Sequence, residues 1–282
     1  MKWRGEINSY LFVLVIFACS LGISCPVFSQ TQIKGRVVYE KDETPAAFAT
    51  VELVNQKEGG LSDKSGNFSF YISKLKNDDT LLISSVGYET LKIPVLAAMK
   101  RSQFVLTEKT KSLEGVTIFN TRQVEGSHSE SVGFFRSWAH ENTGGEIGRI
   151  FNLPYKQFKI DKIRFKVSNL CDTCLLRLHI RTVVDGKPGE EILKDSITMT
   201  INKLTLDDKV PEFDISAYDF TFTQNQFFVG IEVLNCRSKT PEPCTFCFAG
   251  TEHGQYIYKS RRTTEWLNAD DYTIHLKLFL RY

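Results

Sequence analysis

Five cysteines in the second half of the chain are the residues whose chemistry stands out first. They are Cys171, Cys174, Cys236, Cys244 and Cys247. Two of the spacings are Cys-x-x-Cys, which is typical of zinc ligands and of dithiol redox sites. In an exported protein the same thiols pair as disulfides, because the compartment is oxidising. We predict one or two disulfides, with the pairing open and at least one thiol left over; zinc binding and a redox role are the alternatives.

Cationic side chains that alternate with apolar ones along two predicted strands form a second candidate site. They are Lys162, Arg164, Lys166, Arg177, His179 and Arg181, and His275, Lys277 and Arg281 can join them from the last predicted strand. If the first two strands pair as a hairpin, these side chains share one face, which suits an acidic glycan, a lipid headgroup or an acidic protein. Alternation alone also puts Lys and Arg on a solvated face, so a surface without a ligand is the other interpretation.

Aromatic residues in the second half of the chain are a third candidate, because rings on a sheet surface can stack on sugars. The rings considered are Trp138, Tyr155, Tyr256, Tyr258 and Trp266. Large rings are more commonly buried in the core or at strand ends, since each one removes a large apolar area from water. We therefore expect core packing for most of them.

Catalytic motifs are absent from the sequence. The histidines stand at positions 128, 140, 179, 253 and 275, and none has the His-x-x-Glu or His-Glu-x-x-His spacing of a zinc peptidase. There is no Gly-x-Ser-x-Gly turn and no phosphate-binding glycine loop. No two acids stand out as the acid and base of a glycosidase. We therefore expect no enzyme activity, no catalytic residue, no cofactor and no metal.

The first 29 residues have the composition of a secretory signal peptide. Basic residues precede an apolar run from Tyr10 to Leu21, which is too short for a comfortable membrane span. We predict cleavage before Gln30 and an exported protein in the periplasm or at the outer-membrane surface. An uncleaved anchor helix and lipid attachment at Cys25 are the alternatives.

The segment 30–120 is predicted to be a small domain of short strands separated by turns. Two turn sequences carry a family resemblance: Ser62–Phe68 (Ser-Asp-Lys-Ser-Gly-Asn-Phe) and Leu82–Tyr88 (Leu-Ile-Ser-Ser-Val-Gly-Tyr). They resemble the carboxypeptidase-like regulatory domain, and Ile33–Val37 and Pro45–Val51 are similar to its opening strands. The resemblance implies a transthyretin-like, seven-stranded Greek-key sandwich. Asp63 is expected to close its turn with hydrogen bonds rather than to bind calcium.

The rest of the chain divides into a linker and a larger domain. Residues 121–131 are polar and lack apolar periodicity, so we predict a linker there. In residues 132–282 alternating patterns return, and Phe227–Leu234 is apolar enough for a central strand. We predict an all-β protein whose second domain is a larger, antiparallel, jelly-roll-like sandwich. This half is similar in pattern to lectin-like and adhesin-like sandwiches.

The predicted function is that of an exported, non-enzymatic binding or accessory protein. Its β-sandwich modules would contact a glycan or a protein partner at the cell envelope. The formal charge of +2 gives no general attraction to nucleic acid, so we expect no such partner. Membrane association is expected only through a partner or through a lipid at Cys25. A structural component of an outer-membrane assembly and a hydrolase with a site not visible in the sequence are the alternatives.

Overall fold

The computed structural model describes most of the chain after the predicted signal peptide. The described residues are 31–54, 56, 58–109, 119–128, 130–138, 143–169, 171–202, 210–218, 220–239, 244–260 and 265–282. The predicted signal peptide and Cys25 lie outside them, as do residues 116–118 (Val-Thr-Ile), whose apolar and β-branched side chains also predict a strand. Within these ranges the protein is all-β apart from one short helix. No helix among them is long and apolar enough to cross a bilayer.

In the part of the first domain that the structure describes there are seven strands and the short helix. The elements are β1 (Thr31–Tyr39), β2 (Thr50–Leu53), β3 (Gly59–Leu61), β4 (Asn67–Ile72), β5 (Thr80–Ser84), β6 (Leu91–Pro94), α1 (Val95–Ala98) and β7 (Gln103–Leu106). They form a three-stranded sheet, β4-β1-β7, and a four-stranded sheet, β3-β2-β5-β6. Every pairing is antiparallel except that of β1 with β7. Alternate apolar residues of both sheets make one core between them, so this domain is a sandwich.

The turn before β4 gives a physical reason for one of the two family-like turn sequences. Asp63 Oδ1 accepts hydrogen bonds from the backbone N–H groups of Ser65 and Asn67, both at 2.8 Å. Gly66 has a φ of +79°, and a Cβ at this position would lie 2.4 Å from the carbonyl oxygen of Val37. The side chain of Asp63 therefore acts as the turn residue that its sequence context predicts.

The described residues of the second domain form thirteen strands. They are β8 (Arg122–Gly126), β9 (Phe134–Trp138), β10 (Glu146–Asn152), β11 (Lys159–Phe165), β12 (Val167–Asn169), β13 (Thr173–Val184), β14 (Lys187–Glu191), β15 (Thr198–Asn202), β16 (Glu212–Asp214), β17 (Gln226–Arg237), β18 (Phe246–Lys259), β19 (Leu267–Ile274) and β20 (Leu276–Arg281). Nine of them form one sheet with the central order β12-β18-β10-β17-β13-β14, and the remaining four form a sheet with the order β16-β11-β20-β8. One apolar core includes residues of both sheets, as expected for an antiparallel sandwich.

The predicted linker differs from the structure at one point. Part of the segment 121–131 is strand β8, which pairs with the last strand, β20, from Arg122↔Arg281 to Gly126↔Lys277. The pairing is with a strand about 150 residues away, and polar side chains suit an edge strand that faces water. Local polarity therefore did not distinguish this edge strand from a linker.

The two domains are in contact through a loop of the first. Val86, in the second family-like turn, is 5% exposed and belongs to the core of the second domain. Next to it, Gly87 has a φ of +85°, and a Cβ there would lie 2.0 Å from the carbonyl oxygen of Lys194. Since backbone approaches backbone at this point, only glycine fits. The loop thus fixes the four-stranded sheet of the first domain against the nine-stranded sheet of the second.

Candidate functional site

The outer face of the nine-stranded sheet carries a cluster of buried charges. Strand β13 alternates, so that its apolar side chains enter the core and its cationic ones point the other way. Neighbouring strands place acids on the same face. The charge cluster consists of Glu146 of β10, Arg177, His179 and Arg181 of β13, Glu191 of β14 and Glu232 of β17.

Two arginine–glutamate pairs anchor the charge cluster. The guanidinium of Arg177 donates to Glu232 Oε2 from Nε at 2.9 Å and from Nη2 at 2.6 Å. Arg181 donates to both oxygens of Glu146, from Nε to Oε1 at 3.0 Å and from Nη2 to Oε2 at 2.9 Å. The side chains of Arg177, Glu232 and Glu146 are at most 4% exposed. Charges removed from water to this degree are tolerated because each one has a partner of opposite sign.

His179 connects these pairs through hydrogen bonds to two of the acids. Its Nδ1 lies 2.6 Å from Glu191 Oε2, and its Nε2 lies 2.8 Å from Glu232 Oε2. A carboxylate only accepts hydrogen bonds, so hydrogen bonds to both acids use both ring N–H groups of an imidazolium, although Arg181 Nη2 also lies 3.1 Å from Nδ1. Burial and the charge of Arg181 lower the pKa of His179, but the negative charges of Glu146 and Glu191 raise it by more, so that it lies above its ordinary value. With this proton the charge cluster has three positive and three negative groups.

Two carboxylates of the charge cluster, Glu232 and Glu191, are held in the ionised form. Burial alone raises the pKa of Glu232, but the charge of Arg177 and the hydrogen bond from His179 lower it to about 2. Burial likewise opposes ionisation of Glu191, and the charges of His179 and Arg181 outweigh it, so that its pKa is lowered. Neither of these two acids therefore holds a proton that it could donate near neutral pH.

Space for the charge cluster comes from a glycine on the central strand. Gly230 lies opposite His179 in the pairing of β17 with β13. A Cβ at Gly230 would lie 2.6 Å from Glu146 Oε1. The missing side chain thus leaves room for the ion pairs that cross from β10 to β13.

The charge cluster lies at the floor of a cleft between the two domains. The cleft has a volume of about 700 Å³. One wall is the outer face of β2, β5 and β6 in the first domain, including Glu52 and Lys92, together with Tyr88 from the loop between β5 and β6. The other wall and rim include Lys259 and Trp266 of the second domain. Arg177 joins the two sides directly, because its Nη1 donates to the carbonyl oxygen of Phe48 at 2.9 Å.

The prediction of one shared cationic face is wrong. Lys162 and Arg164 lie on β11, which belongs to the four-stranded sheet of the second domain, and Lys166 follows that strand. Arg177 and Arg181 lie on β13 of the nine-stranded sheet. The hairpin that would join these two strands does not form, because each strand pairs with partners distant in sequence. Arg177 and His179 are also 2% and 4% exposed, so they are not part of a solvated surface.

Apart from His275, which is buried, the remaining predicted cations bind acids. Lys162 and Arg164 both bind Glu212, at 2.7 and 2.9 Å. Lys166 binds Glu130 at 2.7 Å. On β20, Lys277 also binds Glu130 and Arg281 binds Asp161. These ion pairs cancel much of the positive charge on which an acidic ligand would depend.

The predicted aromatic residues divide between core and cleft. Trp138 and Tyr256 are 3% and 5% exposed and belong to the core. Tyr258 packs against that core, and Tyr155 does so too while stacking on Tyr282 with ring centroids 3.9 Å apart. Only Trp266 of the five lines the cleft, where its ring is edge-on to Phe228 at 5.2 Å.

The cysteines form two disulfides, which agrees with the sequence prediction. Cys171 is bonded to Cys244 and Cys174 to Cys236, and Cys247 is a free thiol. Burial raises the pKa of that thiol. The sulfur atoms of Cys171, Cys174 and Cys236 lie within 4.8 Å of one another, a spacing that a metal could use only after reduction. In the disulfide form these atoms are not thiolates, so they do not suit zinc.

The acids of the charge cluster were missed at the sequence level. Glu232 is the one charged residue within the apolar stretch Phe227–Leu234, and a charge in the middle of a buried strand requires a partner. That position was the available signal. Glu146 and Glu191 offered none, because they stand at strand ends among ordinary polar residues.

Comparison with known proteins identifies the first domain. The sequence model of the CarboxypepD_reg-like domain matches residues 33–118. A weak similarity in the same part of the chain is to the TonB-dependent receptor SusC of Bacteroides thetaiotaomicron, with 25% identity over 119 residues. The aligned part is 42% of this chain and only 11% of the receptor.

Two solved structures resemble most of this chain, but only distantly. The clostridial cysteine protease Cwp84 after propeptide cleavage has 10% identity and a TM-score of 0.39, over 90% of this chain and 66% of the protease. A DUF3823 family protein from Bacteroides ovatus has 10% identity and a TM-score of 0.18, over 87% of this chain and 99% of that protein. TM-scores this low do not establish a shared fold. What the comparisons do establish is that residues 33–118 are a CarboxypepD_reg-like domain, as the two turn sequences predict.

Proposed function

We propose that this protein is an exported, non-enzymatic binding or accessory protein of the cell envelope, and that the cleft between its two domains is the binding site. The ligand would be a glycan or a protein partner. The observation that carries the proposal is the cleft itself, a concave site of about 700 Å³ to which both domains contribute side chains. Small-molecule sites typically have roughly 300–1,000 Å³.

The protonation states in the cleft favour binding over catalysis. A glycosidase or acid–base hydrolase needs one carboxyl group whose pKa is raised toward neutrality. In the cleft the opposite holds for the two acids whose shifts are resolved, since the pKa of Glu232 is lowered to about 2 and that of Glu191 is also lowered. Both carboxylates are already engaged by arginine and histidine, which makes them structural partners rather than free acids or bases.

The location at the envelope rests on two observations. The first 29 residues have the pattern of a secretory signal, and a relative of the first domain occurs in a protein named as a TonB-dependent receptor. The same similarity supports a second candidate function, in which the first domain attaches this protein to an outer-membrane assembly. The exposed face of the β4-β1-β7 sheet, which includes Tyr71 at 57% exposure, would be the attachment surface.

Site-specific photo-cross-linking in intact envelopes tests both candidates. A photoreactive residue at Glu190 reports on the cleft, and one at Tyr71 reports on the opposite sheet; both positions are exposed. If the cleft is the binding site, cross-linked products will form at Glu190 and not at Tyr71. Products only at Tyr71 would favour attachment to an assembly instead. Equal labelling at both positions would contradict a localised site.

A further inference from the structure

The charges that line the cleft cancel one another. At the floor, the charge cluster has three acids opposed by Arg177, Arg181 and protonated His179. The other ionisable side chains around the cleft, apart from the rings, are three lysines and three glutamates. They are Lys92, Lys109, Lys259, Glu52, Glu89 and Glu190. The lining therefore has no excess of positive charge that would attract an acidic ligand.

A neutral ligand with many hydroxyl groups fits this lining better than an ion does. A hydroxyl group donates one hydrogen bond and accepts others, so it can meet a glutamate and a lysine in turn. A carboxylate or phosphate would be attracted by the lysines but repelled by the glutamates interspersed with them. Specificity in such a site comes from a small number of placed polar groups between apolar surfaces.

Two aromatic rings, one from each domain, supply the apolar surfaces. Tyr88 is stacked on Tyr39 with the ring centroids 4.1 Å apart. The Trp266 ring is edge-on to Phe228, with Lys259 Nζ 5.3 Å and Arg181 Cζ 6.0 Å from its centroid. Both rings are therefore held in position before a ligand arrives, with Tyr39 covering one face of Tyr88 and with Lys259 and Arg181 over the ring of Trp266. The C–H faces of sugar rings are apolar and pack against such aromatic surfaces, while the hydroxyl groups at their edges reach the charged side chains.

From this combination we infer that the cleft binds an uncharged oligosaccharide of a few sugar units and discriminates against acidic ones. The inference rests on the proposed binding function and adds the class of ligand. This ligand class differs from the sequence prediction, in which the cationic side chains favour an acidic ligand. Trp266 and Glu52, on opposite walls, are the side chains assigned to ligand contact.

Isothermal titration of the purified protein with defined trisaccharides tests the inference. The neutral probes are maltotriose, cellotriose, xylotriose and mannotriose, and the acidic probe is trigalacturonate. We expect at least one neutral probe to bind and trigalacturonate to bind at least about tenfold more weakly, a difference of about 1.4 kcal/mol. Trp266→Ala should weaken the neutral probe by at least about tenfold. Lys162→Gln, on the other sheet and outside the cleft, is the matched control and should not change affinity.

The outcomes separate this inference from the proposed function. If trigalacturonate binds as well as the neutral probes, or no neutral probe binds, the ligand class is wrong, although cross-linking at Glu190 would still support a binding cleft. If a neutral probe binds equally well to Trp266→Ala, the site lies elsewhere and the inference fails. If Trp266→Ala does not fold, Glu52→Gln tests the same site from the first domain, because glutamine has nearly the same shape as glutamate. Its affinity for the neutral probe should then be lower than that of the wild type.

Discussion

The charge cluster predicts that the stability of this protein decreases as the pH rises above neutrality. His179 is buried and holds its proton against two carboxylates, so its pKa in the folded protein is raised above the ordinary value of 6.5. The native state therefore binds this proton more tightly than the unfolded chain does. The stabilising contribution is complete below pH 6.5 and is lost as the pH rises through the pKa of the folded state.

The size of the effect follows from linkage. Between the two pKa values the unfolded chain has lost one proton that the native state still holds. The free energy of unfolding then falls by at most about 1.4 kcal/mol per pH unit. In His179→Gln this contribution is absent at every pH. Because removing one partner of a buried ion pair typically costs about 3–5 kcal/mol, the variant should be destabilised most at low pH, and the gap to the wild type should narrow as the pH rises.

Urea unfolding with intact disulfides measures this effect. The fluorescence of Trp138, which is 3% exposed in the core of the second domain, reports on the transition. The free energy of unfolding is compared at about pH 6 and about pH 9 for the wild type and for His179→Gln. His128→Gln is the matched control, because this histidine is exposed and lies outside the charge cluster.

The reasoning is refuted if the wild type and His179→Gln have parallel stability curves between these pH values. It is also refuted if the free energy of unfolding of both the wild type and His128→Gln increases from about pH 6 to about pH 9. The first result would mean that His179 does not carry the proton that its hydrogen bonds require. The second would mean that other groups dominate the pH dependence.

Three further predictions concern the loops and the cysteines. Gly87→Ala should separate the domains and increase cleavage between them in limited proteolysis, because a Cβ would lie 2.0 Å from the Lys194 carbonyl oxygen. Unchanged cleavage would contradict this close approach. Asp63→Ala should lower the free energy of unfolding of the first domain by about 1–2 kcal/mol through two lost hydrogen bonds, and Asp63→Asn should recover part of it. Peptide mapping without reductant should find both disulfides, whose loops span 73 and 62 residues. Reducing both should lower the free energy of unfolding by several kcal/mol, since a chain-entropy estimate gives roughly 4 kcal/mol for each. Free alkylation of all five thiols would refute the pairing.

Local patterns were sufficient to predict many of the strands and the sandwich architecture, although strand β8 was predicted to be part of a linker. Alternation in β4 and β20 correctly separates the buried face from the exposed one, because the period of a strand is two residues. The turn at Asp63 was predictable for a similar reason, since its hydrogen bonds lie within five residues. Each of these inferences depends only on neighbours in sequence.

Sheet membership and the coverage of faces depended on distant contacts and were not predictable. The strands β11 and β13 have the same alternation of cationic and apolar residues, yet they lie in different sheets. Nothing in the pattern of β13 indicates that another domain covers the face of Arg177 and His179. From the sequence alone, a polar face of a strand is expected to be in contact with water. In this protein the charged side chains on that face of β13 instead contact acids on β10, β14 and β17.

The insertion of Val86 into the neighbouring core affects how the protein can be divided for experiments. Removing the first domain would expose a gap in the hydrophobic interior of the second and leave the arginines and acids beneath it open to water. A truncated fragment would therefore report on a damaged sandwich rather than on an independent module. A fusion protein that contains the second domain would therefore also need the loop of the first domain that carries Val86.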